Sequence, residues 1–169
     1  MNIKLDKDYQ ILQLLRMPNN WVALTLINLL MRLSVLFVRT IKGINKQKQK
    51  IFVRDNQRIQ TTVYQPKEGI TNPNIILYFP GGGFIMPGTS IHHRYTQRLA
   101  FKLQCQVIVI DYRLAPKYVY PMAHHDALDA TLYYMNQYPD AKIILMGDSA
   151  GGNIVASVCH VLRTRNEKQ

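Results

Sequence analysis

The sequence predicts an α/β fold in which a mostly parallel sheet carries helices on both of its faces. Three continuous apolar runs, at residues 75–79, 107–110 and 143–146, are typical of strands buried on both faces. Each run is followed by a segment with helical features, at residues 91–103, 121–137 and 153–163. Alternating strands and helices form parallel sheets, because the chain must cross over a face between neighbouring parallel strands.

The N-terminal part of the chain predicts two helices. Residues 6–17 form a short amphipathic pattern, which Pro18 ends, and residues 21–41 form a longer and more apolar one. The second pattern has a polar stripe at helical spacing: Thr25, Asn28, Arg32 and Arg39. The opposite side is a broad apolar face: Val22, Leu26, Leu29, Leu30, Leu33, Leu36 and Phe37.

Three interpretations of residues 21–41 remain open, and packing of the apolar face against the protein is favoured. Contact with a membrane surface is the second interpretation. A membrane span is disfavoured, because Arg32 would stand near the bilayer centre at a cost of several kcal/mol. Downstream, residues 43–49 are expected to form a basic connector, and residues 51–53 and 58–64 to form two strands joined at Asp55 and Asn56.

The composition is that of one globular domain with an unusually basic charge. The chain has 169 residues, a formal net charge of +11 and 47% hydrophobic residues. Basic residues cluster between residues 39 and 58, which indicates a solvated linker or, alternatively, attraction to an anionic membrane. No nucleic-acid partner is expected, since no recognition motif or interleaved aromatic residues accompany this basic cluster.

Cysteine usage and the N-terminus favour a cytoplasmic protein. Cys105 and Cys159 both stand in apolar surroundings, so both are expected to be buried thiols in a reducing compartment. The first ten residues lack the pattern of a cleavable signal peptide. No cluster of cysteine and histidine has metal-ligand spacing, so no metal and no cofactor are expected.

The most informative stretch is the Gly-Asp-Ser-Ala-Gly sequence of residues 147–151. It follows an apolar strand pattern and precedes a helical one, which is the setting of a nucleophile elbow. Such a tight turn holds its serine in a strained backbone conformation, and the glycines let strand and helix approach closely. We therefore interpret Ser149 as a candidate nucleophile. The N–H of Ala150 then lies at a helix N-terminus, where negative charge is favoured.

A second motif, Pro-Gly-Gly-Gly-Phe at residues 80–84, directly follows the first buried strand. Taken alone, three consecutive glycines are consistent with a flexible turn. In the company of a serine elbow, they favour a loop whose backbone N–H groups bind an oxyanion.

These two motifs, together with Asp-Tyr-Arg-Leu-Ala-Pro at residues 111–116, resemble the hormone-sensitive-lipase-like branch of the α/β-hydrolase family. The resemblance is strong over residues 75–163, and members of this branch are carboxylesterases and lipases. It implies a small-molecule ester as substrate. It also implies a division into an N-terminal helical cap with a basic connector, residues 1–45, and an α/β-hydrolase portion, residues 46–169.

The resemblance implies roles for single residues. Ser149 would be the nucleophile, and the N–H groups of Gly82, Gly83 and Ala150 would form the oxyanion hole. Each such donor is worth roughly 3–4 kcal/mol of transition-state stabilisation. The segment of residues 111–113 would brace the loops beside the site.

Two departures from the family pattern stand out. Pro80 occupies the position where the family usually has a histidine before its glycine loop. Furthermore, the catalytic acid and histidine follow the serine in this fold, yet only His160 and Glu167 follow Ser149 here. His160 would lie roughly 16 Å along the helix from the elbow, too far to act as the base. We therefore expect that the chain lacks both residues and the last strands of the sheet.

Earlier histidines are weak substitutes for the missing base. His124 and His125 precede Asp126 but are expected to form a solvated helix start, and His92 and His93 have no visible orienting acid. Three hypotheses follow from the sequence. The chain is a serine esterase cut short, or an inactive hydrolase remnant that binds an apolar ligand or a second chain completing the sheet. Alternatively, it binds a membrane surface or another polyanion through residues 21–58.

Overall fold

A computed structural model describes residues 20–165 of the chain. The predicted helix at residues 6–17 lies outside the described residues. The helices are α1 (Trp21–Leu36), α2 (Ser90–Leu103), α3 (Met122–Gln137) and α4 (Ala150–Thr164). The strands are β1 (Ile44–Val53), β2 (Gln57–Pro66), β3 (Ile75–Phe79), β4 (Gln106–Asp111) and β5 (Ile143–Gly147).

The five strands form one mixed sheet in the order β1-β2-β4-β3-β5. The three apolar strands predicted from the sequence pair in parallel, with β3 between β4 and β5. The hairpin β1–β2 joins them in antiparallel fashion through β2 and β4. This order places the carboxyl ends of β3 and β5 side by side, and the glycine loop and the serine turn both begin there.

Helices cover both faces of the sheet, as the sequence predicts. On one face, α3 and α4 pack against the larger core, whose fully buried side chains include Leu77, Ile108 and Ile154. On the other face, α2 packs against a smaller core that contains Tyr64 and Val107. Burial on both sides explains why β3 and β4 are continuously apolar rather than alternating.

The predicted basic connector at residues 43–49 is wrong, because these residues form most of β1. All ten residues of β1 pair with β2, from Ile44 opposite Pro66 to Val53 opposite Gln57. The turn uses Asp55 and Asn56 at φ 60° and 54°, which suits the twist of a hairpin. β1 lies at the edge of the sheet. Lysine side chains can remain in water there, and they discourage pairing of this edge with other chains.

The predicted packing of helix α1 is also wrong. The helix ends at Leu36 rather than near residue 41, and its broad apolar face is directed to solvent, with Phe37 83% exposed. Of the polar stripe, Asn28 contacts the protein, since its Nδ2 donates a 2.7 Å hydrogen bond to the carbonyl of Ile85, whereas Thr25, Arg32 and Arg39 are exposed. No helix among residues 20–165 is long and apolar enough to cross a membrane.

The two cysteines differ in their surroundings. Cys105 is buried in the smaller core, and this burial raises the pKa of its thiol. Cys159 is exposed, so its predicted burial is wrong. The buried face of α4 consists of Ile154, Val158 and Leu162 at intervals of four residues. Cys159 is one residue further along, which is about 100° around the helix.

Candidate active site

Ser149 stands at a sharp turn between β5 and α4, as the motif predicts. Its backbone has φ 49° and ψ −119°, a sparsely populated conformation for a residue with a side chain. The residue is exposed, and in residues 20–165 its hydroxyl makes no hydrogen bond. The fold therefore holds the serine in strain at the carboxyl edge of the sheet, accessible to a substrate.

Two glycines make this turn sterically feasible. A Cβ added at Gly151 would overlap the carbonyl oxygen of Phe79 at the end of β3, and one at Gly147 would overlap the backbone of Gly151. Gly152 has no such constraint, since its nearest neighbour would be the Gly147 oxygen at 3.6 Å. The first and last positions of the motif are thus fixed by the close approach of α4 to the sheet.

The glycine loop lies next to this turn in a conformation that side chains disfavour. Gly82 has φ 148° and Gly83 has φ 59°, and the Gly82 carbonyl accepts hydrogen bonds from the N–H groups of Ile85 and Met86. These two bonds fold the loop back on itself. Within the described part of the chain, the N–H groups of Gly82, Gly83 and Ala150 donate to no protein acceptor. They are consequently available to a ligand.

The carboxylate of Asp148 connects the serine turn to the glycine loop. Its Oδ1 accepts hydrogen bonds from the hydroxyl of Tyr78 at 2.6 Å and from the N–H of Gly81 at 3.0 Å. Partial burial acts to raise the pKa of Asp148, but these two hydrogen bonds together with the nearby His92 hold it below the ordinary value. Asp148 is therefore ionised at neutral pH and fixes Gly81 relative to Ser149.

His92 belongs to the same cluster, a contact that the sequence did not reveal. Its Nε2 lies 3.5 Å from Oδ2 of Asp148, while its Nδ1 accepts a hydrogen bond from the N–H of Thr89 at 2.9 Å. Because Nδ1 is an acceptor, the neutral imidazole carries its proton on Nε2, facing the carboxylate. The expectation that His92 lacks an acidic partner is therefore wrong. The neighbouring His93 lies outside this cluster. Its Nδ1 forms a buried hydrogen bond of 2.8 Å with the hydroxyl of Tyr64.

The segment of residues 111–113 braces the loops, as the resemblance implies. The hydroxyl of Tyr112 donates a 2.5 Å hydrogen bond to the carbonyl of Pro80, at the base of the glycine loop. Arg113 forms a bidentate ion pair with the fully buried carboxylate of Asp126, at a shortest distance of 2.6 Å. Side chains outside the loop thus support it where Pro80 cannot form histidine's hydrogen bonds.

Within residues 20–165, none of the remaining histidines is hydrogen-bonded to Ser149. His124 donates or accepts a 3.0 Å hydrogen bond at Asn153, one turn along α4, and its ring lies 5.4 Å from that of Phe84. Its Nδ1 is buried without a partner among residues 20–165, so His124 is only partly solvated at the predicted solvated helix start. His160 is exposed near the far end of α4. None of the five histidines is hydrogen-bonded to the candidate nucleophile.

Comparison with known proteins connects this site to a family. Residues 76–169, more than half of the chain, match the family model described as alpha/beta hydrolase fold. The chain belongs to the α/β-hydrolase family. The resemblance to its hormone-sensitive-lipase-like branch is confirmed, because the curated relatives include carboxylesterases and the similar solved structures are esterases.

Individual relatives agree with this assignment. The chain is 33% identical to versiconal hemiacetal acetate esterase of Aspergillus parasiticus over 91 residues, which are 54% of this chain and 29% of that protein. It is 33% identical to probable carboxylesterase 6 of Arabidopsis thaliana over 112 residues, 60% of this chain and 33% of the relative. A solved esterase of Pyrobaculum calidifontis superimposes with a TM-score of 0.76 at 29% identity, covering 98% of this chain.

This α/β-hydrolase chain matches only part of each relative. It spans about a third of the length of these two curated relatives and 55% of the Pyrobaculum esterase. The matched part contains the serine turn and the glycine loop.

Proposed function

We propose that Ser149 is the nucleophile of a carboxylic ester hydrolase. The observation that carries this proposal is the strained, exposed serine beside three backbone N–H groups that have no protein acceptor within residues 20–165, those of Gly82, Gly83 and Ala150. A nucleophile next to convergent donors is the arrangement that acyl transfer requires. The three relatives compared above are named as esterases or as a probable carboxylesterase, which supports the same reaction class.

In the proposed reaction, the Ser149 hydroxyl attacks the carbonyl carbon of the ester and loses its proton to a base. The carbonyl oxygen becomes an oxyanion, which the N–H groups of Gly82, Gly83 and Ala150 stabilise. The tetrahedral intermediate then expels the alcohol, which takes up the proton, and leaves an acyl group on Ser149. Water attacks this acyl-enzyme in the same way and releases the carboxylic acid.

This chemistry needs a general base that the described geometry does not provide. No histidine within residues 20–165 is hydrogen-bonded to Ser149, and a serine without a base is a poor nucleophile at neutral pH. We infer that the acid and the histidine come from elsewhere, either from a longer form of this chain or from a second polypeptide. The exposed edge of β5, where Ile144 is 37% exposed, offers a place for further strands to pair.

Chemical rescue tests this function in the 169-residue chain. Added imidazole can occupy the space of the absent histidine side chain and accept the serine proton. We expect imidazole to accelerate the hydrolysis of a p-nitrophenyl ester by the chain well beyond its effect in free solution, and Ser149→Ala to abolish that excess. An excess that survives in Ser149→Ala would contradict the proposal, and so would its absence from the folded wild-type chain.

A second function, contact with an anionic membrane surface through residues 21–58, is favoured by the orientation of α1. Its outward face exposes Leu26, Leu30 and Phe37, and the lysines of β1 lie on the neighbouring edge of the sheet. An apolar helix face beside basic residues is typical of proteins that bind at the lipid headgroup boundary. We expect the chain to float with phosphatidylserine vesicles at low salt and less at high salt.

A matched pair of variants tests this surface. Replacing Leu30 and Phe37 by serine should abolish flotation, because both side chains, one on α1 and one directly after it, are exposed and lie outside the cores formed within residues 20–165. The control, Ile70→Ser, changes another exposed apolar residue, which lies in the loop between β2 and β3. Equal flotation of both variants, or none in the wild type at low salt, would contradict membrane contact.

A further inference from the structure

A large cavity lies between α1 and the sheet, beside the serine site but separate from it. Its volume is about 1050 Å³, at the upper end of ordinary ligand pockets, which measure roughly 300–1,000 Å³. Its walls come from α1, the β1–β2 hairpin, and residues 86–88 and 110–118. Among the described residues, Pro80 is the only wall residue from the glycine loop, and Ser149, Gly82, Gly83 and Ala150 do not line the cavity.

Part of the cavity wall is apolar. Leu29 and Leu33 of α1 line the cavity while remaining 52% and 41% exposed, and Met86 lines it from the segment after the glycine loop. Such a surface favours hydrocarbon over water, since each buried methylene group contributes about 0.8 kcal/mol.

Cations from several elements surround this apolar interior. Five of them take part in no ion pair within residues 20–165: Arg32 of α1, Lys48 and Lys50 of β1, Arg58 of β2, and Lys117 of the following loop. All five are exposed to solvent, which places their charges at the mouth of the cavity. The ring contacts that hold Arg58 over Phe52 and Lys117 over Tyr118 leave both charges uncompensated.

The opposing charge in the cavity wall is small. Asp111 is its single carboxylate in the part of the chain that the structure describes. It accepts a long 3.4 Å hydrogen bond from Gln60, and Arg32 and Lys48 act on its charge from beyond ion-pair distance, so one carboxylate faces five cations. His93 also lines the cavity but adds no positive charge, because burial lowers its pKa to about 4. Arg113, the sixth cation, is already neutralised by Asp126. The lining therefore keeps an excess of positive charge that an anion would relieve.

We propose that this cavity binds an amphipathic anion, with an aliphatic chain inside and a carboxylate or phosphate group among the cations at the mouth. The apolar part of the wall packs against the aliphatic chain of the ligand, and the five cations without ion pairs attract its charged headgroup. The site does not depend on the chemistry of Ser149. A fatty acid and a lysophospholipid share the required features, so the headgroup is the variable to be measured.

Calorimetric titration of the full 169-residue chain with four short probes tests the proposal below micelle-forming concentrations. We expect octanoate or octyl phosphate to bind at least about tenfold more tightly than octanol, because the alcohol lacks the charge. Inorganic phosphate should bind more weakly than octyl phosphate, because it lacks the chain. The tighter of the two charged probes identifies the headgroup. Equal affinity for octanol, equal affinity for inorganic phosphate, or no binding of either anionic amphiphile would overturn the proposal.

Variants locate the binding in this cavity. The double change Lys48→Gln and Lys50→Gln should weaken the anionic amphiphiles about 5- to 10-fold and leave octanol unchanged. The matched control, Lys102→Gln with Lys142→Gln, removes two exposed lysines that do not line the cavity. Ser149→Ala should also have no effect on affinity. An equal loss in the control or in Ser149→Ala would overturn the proposal.

A second variant changes the interior rather than the charges. Leu33→Trp places a larger side chain at a partly exposed position of α1 that lines the cavity, so the helix can accommodate it. We expect it to weaken octyl phosphate and octanol alike, since both need room for the chain. Unchanged affinity for both probes, in protein with wild-type circular dichroism, would contradict binding in this cavity.

Discussion

The carboxylate of Asp148 accepts a hydrogen bond from the backbone N–H of Gly81 at 3.0 Å. Asp148 directly precedes Ser149, and Gly81 directly precedes Gly82, so this single bond joins the two segments that form the candidate site. The hydroxyl of Tyr78 and the imidazole of His92 hold the same carboxylate from the other side. The orientation of the N–H groups in the glycine loop therefore depends on Asp148, a residue of the serine turn.

Replacing Asp148 by alanine should impair the reaction at Ser149. Without the carboxylate, Gly81 loses its acceptor and the donors of Gly82 and Gly83 lose their alignment. We expect the rate of imidazole-rescued ester hydrolysis to fall by about 10- to 100-fold, somewhat less than the loss caused by deleting an oxyanion donor. Asp148→Asn is the control, since its amide oxygen can still accept from Gly81 and Tyr78. Equal rates in both variants would show that the hydrogen bond is unimportant.

A methyl group at Gly151 should destabilise the fold, whereas one at Gly152 should not. The Cβ of Gly151→Ala would overlap the carbonyl oxygen of Phe79, so α4 or β3 must move. We expect a loss of about 1–3 kcal/mol in the free energy of unfolding, measured by urea denaturation. Gly152→Ala meets only ordinary contacts within α4 and should gain about 0.5–1 kcal/mol from helix propensity. If both variants changed the free energy of unfolding in the same direction, this would contradict the close approach of Gly151 to Phe79.

Much of this architecture is predictable from the sequence, because burial leaves a strong local pattern. The continuous apolar run at residues 75–79 marks β3 with its observed bounds. The serine turn is predictable as well, since Gly147 and Gly151 are required by sterics within a few residues of Ser149.

Other features depend on partners that are distant in sequence. The exposed direction of α1's apolar face follows from the contact of Asn28 with Ile85, 57 residues away. The helical periodicity shows that α1 has two faces but not which one meets the protein. The lysine-rich β1 resembles a linker in isolation and becomes a strand by pairing with β2. The contact between His92 and Asp148 spans 56 positions, and no local pattern indicates it.

Two bidentate ion pairs of similar geometry should differ in importance because they differ in burial. Asp126 pairs with Arg113 and is completely buried, whereas Asp129 pairs with Arg54 at a partly exposed position. Asp126→Ala leaves a largely desolvated guanidinium unpaired and should lower the free energy of unfolding by about 3–5 kcal/mol. Asp129→Ala should lower it by about 1 kcal/mol, since water can solvate Arg54. Equal losses in thermal or urea denaturation would contradict this ranking.

Asp111 should make the protein less stable as the pH rises through the range of its folded-state titration. Burial raises its pKa to about 6, from the ordinary 3.8 expected in the unfolded chain. Between these two values the folded chain binds more protons than the unfolded chain, so raising the pH from about 4 to 6 lowers stability. Above pH 6 the penalty stays constant at about 1–3 kcal/mol.

The comparison of wild type with Asp111→Asn isolates this carboxyl from other titrating groups. The variant should be more stable than the wild type at pH 7, and the difference should shrink to near zero at pH 4. Urea denaturation of both proteins between pH 4 and 8 measures it. A difference that does not vary with pH would contradict the raised pKa of Asp111.

Covalent labelling of Ser149 by a fluorophosphonate tests the central claim most directly. The folded 169-residue chain and Ser149→Ala are treated with the probe, with and without imidazole, and the modified peptide is identified by mass spectrometry. The proposed function predicts labelling at Ser149 that imidazole accelerates and that disappears in the variant. Equal labelling of the variant, or no labelling of the folded wild-type chain even with imidazole, would contradict Ser149 as the nucleophile of an ester hydrolase.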